Sequence, residues 1–302
     1  MRATQVYAAL QREARARGRL AQEVMTLYGL ERFLARLAET EHAEDFALKG
    51  GVLLAAYRLR RPTRDIDMQA LDFPLDEAHM RTVVQRVAAV TSADALVLDS
   101  DAATVRRIRD EEEYDGLRLT VPARVHTFEF PLRLDISTGD PIWPATKRVD
   151  LPAILGGHVT VLGHPLPTVV AEKTVTVLQR GTTSTRWRDY VDVRALSRTY
   201  PFLAGDLRSA AQAVADHRQV ELGPLTAVTA GYGDVAQPKW SAWLRTNDMT
   251  DLAEPVLNDQ LAAITAFVDP VYDGTVDQAA AWNPTTGMWE PGDAQVSGEF
   301  RR

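Results

Sequence analysis

The chain has 302 residues, 45% of them hydrophobic and 25% charged, an ordinary globular composition with length enough for one large core or two smaller ones. Forty-one Asp and Glu against 34 Lys and Arg leave a net charge of −7, which excludes a protein that coats nucleic acid indiscriminately. With no cysteine, disulfides, thiolate metal sites and cysteine nucleophiles are excluded, and no apolar run approaches the roughly 18 residues of a membrane span.

The charge is unevenly spread. Residues 1–64 carry 12 Lys and Arg against 7 Asp and Glu, while residues 238–302 carry 4 against 10. A basic front and an acidic end suit an anionic ligand held at one place, or simply an unevenly charged solvated surface. The opening "MRATQVYAALQREARARGRL" alternates charged with apolar residues and lacks a signal-peptide core, so it predicts a helix and a cytoplasmic protein.

Helical spacing covers 5–17 and about 20–40, where Leu20, Val24, Leu27, Leu30, Leu34 and Leu37 form a stripe broken only by Gly29. "DFALKGG" reads as a short strand ending in glycines, "VLLAAYRLR" as a helix, and "TRDIDMQA" as a strand with Asp65 and Asp67 on one face and Ile66 on the other. "PLDEAHMRTVVQRVAAV" follows as an amphipathic helix with Pro74 near its start. Strand patterns then occupy 96–137, in "ATVRRIR", "LRLTVPARV" and "FEFPLRLDIS"; "STGDPIWPATKR" is a loop, and "HVTVLG" is a further short apolar stretch. Beyond Pro167 helices are predicted at about 168–180, 186–198, 206–220, 238–246 and 254–268. The segment "AWNPTTGMWEPGD" sets turn residues between two Trp and reads as a hairpin or a loose tail.

The chemistry gathers where carboxylates do. Residues two apart on a strand project side by side, about 7 Å apart along the backbone, so Asp65 and Asp67 can converge on a hard cation that prefers oxygen ligands. Asp135, between Leu134 and Ile136 in a strand-like run, is the candidate third acid. Gly50 and Gly51 precede a helix whose first N–H groups can meet a phosphate. Each feature also has an ordinary reading: an Asp-x-Asp is often a polar turn, and a glycine pair a plain one. The six His, at 42, 79, 126, 158, 164 and 217, show no metal-ligand spacing.

Taken in order, "LKGGVLLAAYRL…TRDID", "LRLDISTGDPI", "PTVVAEKTVTVLQR" and "STRWRDYVDVRAL" resemble the motifs of the AbiEii nucleotidyltransferase family, which includes MenT-type toxins of type IV toxin–antitoxin systems within the DNA polymerase β-like superfamily. The likeness runs over about residues 45–198. It implies an α+β protein: a nucleotidyltransferase core of mixed sheet and flanking helices, with the N-terminal helices, over 1–165, and a helical domain with an acidic tail over 166–302. It implies two Mg²⁺ ions on Asp65, Asp67 and Asp135, with Asp135 helping to deprotonate the attacking hydroxyl. Lys49, Gly50, Gly51 and Arg64 would hold the nucleoside triphosphate together with Lys173, and Arg186 would contact phosphates. Asp189 and Asp192 resemble the family's second acidic element, placing Lys173 or the nucleotide. By the same likeness the acceptor is the 3′ end of a tRNA and the partner is an antitoxin protein, with no membrane involved. Arg58, Arg60, Arg61, Arg64, Arg106, Arg107 and Arg109 are the candidate RNA contacts. Val52 stands where relatives often carry Ser or Thr after the glycines, removing a hydroxyl contact to phosphate.

The residues leave other readings beside this one. Lys173 can be a snorkelling surface lysine, and Asp189 and Asp192 beside Arg186 and Arg188 can be a salt-bridged helix face. A nucleotidyltransferase acting on a small molecule or a protein hydroxyl would use the same acids, and a non-catalytic nucleotide or partner binder is the alternative from a different class.

Overall fold

The computed structural model describes residues 2–59, 63, 65–109 and 115–292. It divides into two compact units, one of residues 1–139 and 146–164, the other of 140–145 and 165–302. Residues 140–145 thus cluster with the helical half, although the sequence pattern alone places them with the first.

The first unit opens with helices α1 (Ala3–Ala16) and α2 (Ala21–Leu37), followed by strand β1 (Phe46–Lys49), short helix α3 (Gly50–Ala56), β2 (Ile66–Ala70) and α4 (Glu77–Ala89). Asp76 caps α4 by accepting from the His79 N–H at 2.8 Å, so Pro74 lies just outside the helix. Strands β3 (Leu96–Leu98), β4 (Thr104–Arg109), β5 (Asp115–Val125), β6 (Phe128–Ser137), β7 (Lys147–Pro152) and β8 (His158–Gly163) complete it. They form one mixed sheet in the order β3-β5-β6-β2-β1-β8-β7, with β4 paired to the same long β5 as β3. β2–β6 and β1–β8 are parallel and the remaining pairs antiparallel.

The core of this unit lies between the sheet and α2. Leu30, Phe33 and Leu34 of α2 and Leu132 and Leu134 of β6 are all buried, and the two elements are in contact. Gly29 explains the break in the apolar stripe: a Cβ there would stand 2.5 Å from the Phe130 ring, so the helix approaches β6 on a residue with no side chain. Two buried charges on α2 are also matched. Glu31 accepts from the Ile154 N–H at 2.7 Å, and Arg36 grips Asp94 through Nε at 3.0 Å and Nη2 at 2.6 Å. Burial pushes the Asp94 carboxyl up, but Arg36 and the Leu96 N–H prevail and hold it below its usual range.

The second unit is helical: α5 (Leu166–Arg180), α6 (Trp187–Thr199), α7 (Ala204–His217), α8 (Leu225–Thr229), α9 (Tyr232–Thr246) and α10 (Leu257–Tyr272). A small sheet of β9 (Phe202–Leu203), β10 (Ala281–Asn283) and β11 (Met288–Glu290) closes it. The "AWNPTTGMWE" segment is therefore a hairpin. Its two indoles are anchored, Trp282 donating to the Ser197 carbonyl at 2.7 Å and Trp289 to the Phe267 carbonyl at 2.9 Å, which satisfies their N–H groups while their rings pack on Phe267. None of the described helices is long and apolar enough to cross a membrane.

Candidate active site

The sheet register builds the site. Lys49 on β1 pairs with Asp67 on β2, Asp67 with Asp135 on β6, Asp135 with Arg118 on β5, and Arg118 with Arg106 on β4. Directly paired residues project from the same face, so Arg106, Arg118, Asp135, Asp67 and Lys49 form one transverse row of charge. The alternate positions Ile66, Met68, Leu117, Leu119, Leu134 and Ile136 are all buried. A slip of one residue would turn those apolar side chains out and the acids in, so burial of the opposite face fixes the row.

Adjacent strands lie about 4.8 Å apart, and that spacing brings Asp67 and Asp135 side by side although 67 residues separate them in sequence. Asp65 stands in the bend one position before β2, with the Thr63 hydroxyl 3.3 Å from its Oδ1; the strand is shorter than the sequence pattern predicts. Asp65, Asp67 and Asp135 offer carboxylate oxygens alone, the chemistry that suits Mg²⁺ rather than a softer ion, although among the described residues the three do not gather their oxygens within 4.8 Å of one another.

Gly50 completes this corner. Its φ of +65° lies in the left-handed region, and a Cβ there would stand 1.9 Å from Asp67 Oδ2. Both backbone angle and clearance therefore require glycine: the turn is packed directly against the carboxylate. Gly51 is buried in the first turn of α3, where helical geometry leaves N–H groups without intrahelical acceptors. Val52 is buried too, so the residue that replaces the expected hydroxyl serves the core.

Arg118 is the residue that sequence reasoning missed. Its Nε and Nη2 each lie 2.7 Å from an oxygen of Asp135, a bidentate grip that fixes the plane of the carboxylate. Each of those oxygens keeps a further lone pair directed elsewhere. The available signal was the pairing of "LRLTVPARV" with "FEFPLRLDIS" as adjacent antiparallel strands, which sets Arg118 opposite Asp135 only once the register is known. Arg106 shares the face of the row, whereas Arg107 pairs with Leu117 on the other; the basic run of β4 is therefore split between two faces. Arg58 is exposed. Arg60, Arg61 and Arg64 lie outside the described residues, and so does the side chain of Arg109.

A separate charge cluster organises the second unit. Lys173 on α5 lies 2.7 Å from Asp189 Oδ1 and 2.8 Å from Asp192 Oδ2, both on α6, and Arg186 Nε lies 2.7 Å from Asp189 Oδ2. The Lys173 side chain is only 11% exposed, so it is an enclosed ammonium and not a snorkelling surface lysine. Burial raises the Asp189 carboxyl, but Lys173 and Arg186 outweigh that effect and hold it at about 2. Asp192 sits one turn further along the same face of α6, as its spacing of three requires. Asp140, which reads as a turn former, instead makes a buried bidentate pair with Arg218, at 3.1 and 2.8 Å.

The comparisons agree with this architecture. A Helicobacter pylori structure assigned as a nucleotidyltransferase superposes with a TM-score of 0.51 at 14% identity, covering 85% of this chain and 98% of that one. The MenT4 nucleotidyltransferase toxin of Mycobacterium tuberculosis superposes at 0.52 with 16% identity, covering 86% and 87%. At such identities the likeness concerns the fold. Comparison with curated protein sequences yields no match. The sequence profile of the AbiEii family, described as nucleotidyl transferase toxins of type IV toxin–antitoxin systems, matches residues 32–273. With the acidic row of the sheet lying inside a match that spans most of the chain, this protein belongs to the AbiEii family of nucleotidyltransferase toxins.

Proposed function

We propose that the chain transfers a nucleoside monophosphate from a nucleoside triphosphate to the 3′ hydroxyl of a tRNA, in the cytoplasm, and that an antitoxin protein restrains it there. The observation that carries this reading is the pairing of Asp67 with Asp135 on parallel neighbouring strands, with the Gly50 turn against Asp67. A binding module has no need of two carboxylates held side by side beside a turn that only glycine can make.

In this reading the phosphates lie over Lys49, Gly50 and Gly51, where backbone N–H groups accept no side-chain obstruction. Two Mg²⁺ ions held by Asp65, Asp67 and Asp135 would neutralise charge on the α-phosphoryl and pyrophosphate oxygens. Asp135 accepts the proton of the attacking hydroxyl, and Arg118 keeps its carboxylate pointed at that hydroxyl. The oxygen–phosphorus bond forms in line as the bond to the β-phosphate oxygen breaks, and pyrophosphate leaves. Within the second unit, Lys173, immobilised between Asp189 and Asp192, is a fixed point charge of the kind suited to phosphate oxygens, and Arg186 a guanidinium suited to the same use. The unpaired end of a tRNA suits such chemistry, because its bases are unstacked and its hydroxyls free. Arg58 and Arg106 are the described cations proposed to steer it.

The test is incubation of the purified protein with each α-labelled nucleoside triphosphate, MgCl₂, total tRNA and a mixture of cellular proteins. Label should enter tRNA, should fail to enter tRNA whose 3′ terminal diol has been oxidised by periodate, and should vanish with Asp67→Asn. Label entering protein or a small molecule, and never tRNA, would replace the acceptor with the one labelled.

A further inference from the structure

We propose a second metal site, for a transition-series divalent ion of the zinc type, formed by His42, Asp45 and His79 at the end of the β1–β2 hairpin remote from the catalytic acids. Phe46 pairs with Ala70 and Lys49 with Asp67, so Asp45 lies beyond one end of the hairpin and Gly50 beyond the other. Four strand residues, about 13 Å, separate them.

One donor atom from each of His42, Asp45 and His79 lies within 4.8 Å of the other two. Donors around a tetrahedral zinc ion stand about 3.4 Å apart, given bonds near 2.1 Å, so small side-chain rotations close the set. Two of the three are held by their backbone. Asp45 immediately precedes β1 and its carbonyl accepts from the Leu71 N–H at 2.8 Å, while the His79 N–H is fixed by the cap of α4 at 2.8 Å.

The second observation is an orphaned pair of nitrogens. His42 Nδ1 lies 2.7 Å from Asp45 Oδ2, so an ion held by both would take the place of the proton they share, with His79 as the third ligand. His42 Nε2 and His79 Nε2 are both buried and have no hydrogen-bond partner among the described residues. A buried imidazole nitrogen without a partner is costly, and a ligand meeting His79 Nε2 relieves that cost. The rings meet edge to face at 5.3 Å, and Phe73 closes on His79 at 4.7 Å, giving the apolar surround common to tight sites. Glu41 Oε1, paired with Arg86 Nε at 3.1 Å, lies 4.0 Å from His42 Nε2 on the other side of that ring. Imidazole donors favour zinc, cobalt or nickel over the magnesium that an all-oxygen set takes. The ion would clip the α2–β1 turn to the start of α4.

The experiment uses the full chain, purified with its affinity tag removed, stripped with EDTA and titrated with Co²⁺ followed by Zn²⁺. Expected are visible d–d absorption at one Co²⁺ per chain, displacement by Zn²⁺, and a higher melting temperature with Zn²⁺ than with EDTA. His42→Gln and His79→Gln should each weaken binding by about tenfold or more, while Asp67→Asn leaves it unchanged. Wild-type protein that takes up neither ion overturns the proposal, whatever the variants do. So does equal binding by the two glutamine variants, or loss of binding in Asp67→Asn, which would place the ion on the catalytic acids.

Discussion

At Gly50 a single hydrogen in place of a side chain decides whether Asp67 can stand where it does. Replacing it with alanine sets a methyl group 1.9 Å from Asp67 Oδ2 at a φ of +65°. The carboxylate must move, and displacement on that scale costs on the order of 10²-fold in turnover. Gly50→Ala is expected to lose nucleotidyl transfer by about that factor with stability lowered by only about 1 kcal/mol, measured by labelled transfer and thermal unfolding together. Arg118 offers a different balance. Its side chain is half exposed, so Arg118→Ala should leave the melting temperature nearly unchanged and yet reduce kcat by roughly 10- to 100-fold, and lysine should restore little because it cannot reproduce the two-pronged contact. Asp189 carries the pH dependence. Its carboxyl titrates at about 2 in the folded chain against an ordinary 3.8, so the unfolded state binds the proton first. The resulting stability, about 2 kcal/mol, is fully present above pH 4 and drains away between about 4 and 2. Acid titration of Asp189→Asn, followed by circular dichroism, should lack that loss.

Among the elements, α2 shows how packing sets a residue that helix propensity would refuse. Gly29 lowers helix propensity by about 1 kcal/mol relative to alanine, but a Cβ would meet Phe130 at 2.5 Å and Leu132 at 2.9 Å. Gly29→Ala is therefore expected to destabilise the chain by about 1–3 kcal/mol through overpacking, the opposite of its usual effect in a helix, as urea denaturation can measure. The helices of the second unit tell a similar story. Sequence spacing predicts a helix at about 238–246, whereas α9 begins at Tyr232 after the left-handed Gly231. The proline N–H that is missing inside the helix is outweighed by the burial of Tyr232, Ala236 and Trp240. Pro270 likewise falls inside α10. Strands β3 and β9 and helix α8, of two to five residues, carry too few periods to register in a pattern.

For the whole molecule, the balance of −7 limits how tightly an RNA can be held. Of the described β4 arginines proposed as RNA contacts, Arg106 stands on the face of the acidic row and Arg107 on the reverse, so β4 would offer the proposed RNA only one of the two at a time. The apparent affinity for tRNA should then fall with salt on a shallow logarithmic slope, no steeper than about −3, in filter binding across a KCl series; a steep slope would mean a broad basic surface takes part.

The residue pattern was enough to announce the acids, the glycine turn and the alternation of strands with helices, because hydrophobic periodicity and turn chemistry act between residues close in the chain. It placed Asp65 and Asp67 on one strand face, whereas the structure leaves Asp65 in the bend before β2. What it could not hold was distance: that Asp135 lies beside Asp67, that Arg118 grips it, that Lys173 is enclosed by two carboxylates, and that His42 meets His79 depend on register and on helix packing. Those contacts join residues tens of positions apart, and only the burial of apolar faces, summed over the fold, selects the one arrangement in which they touch.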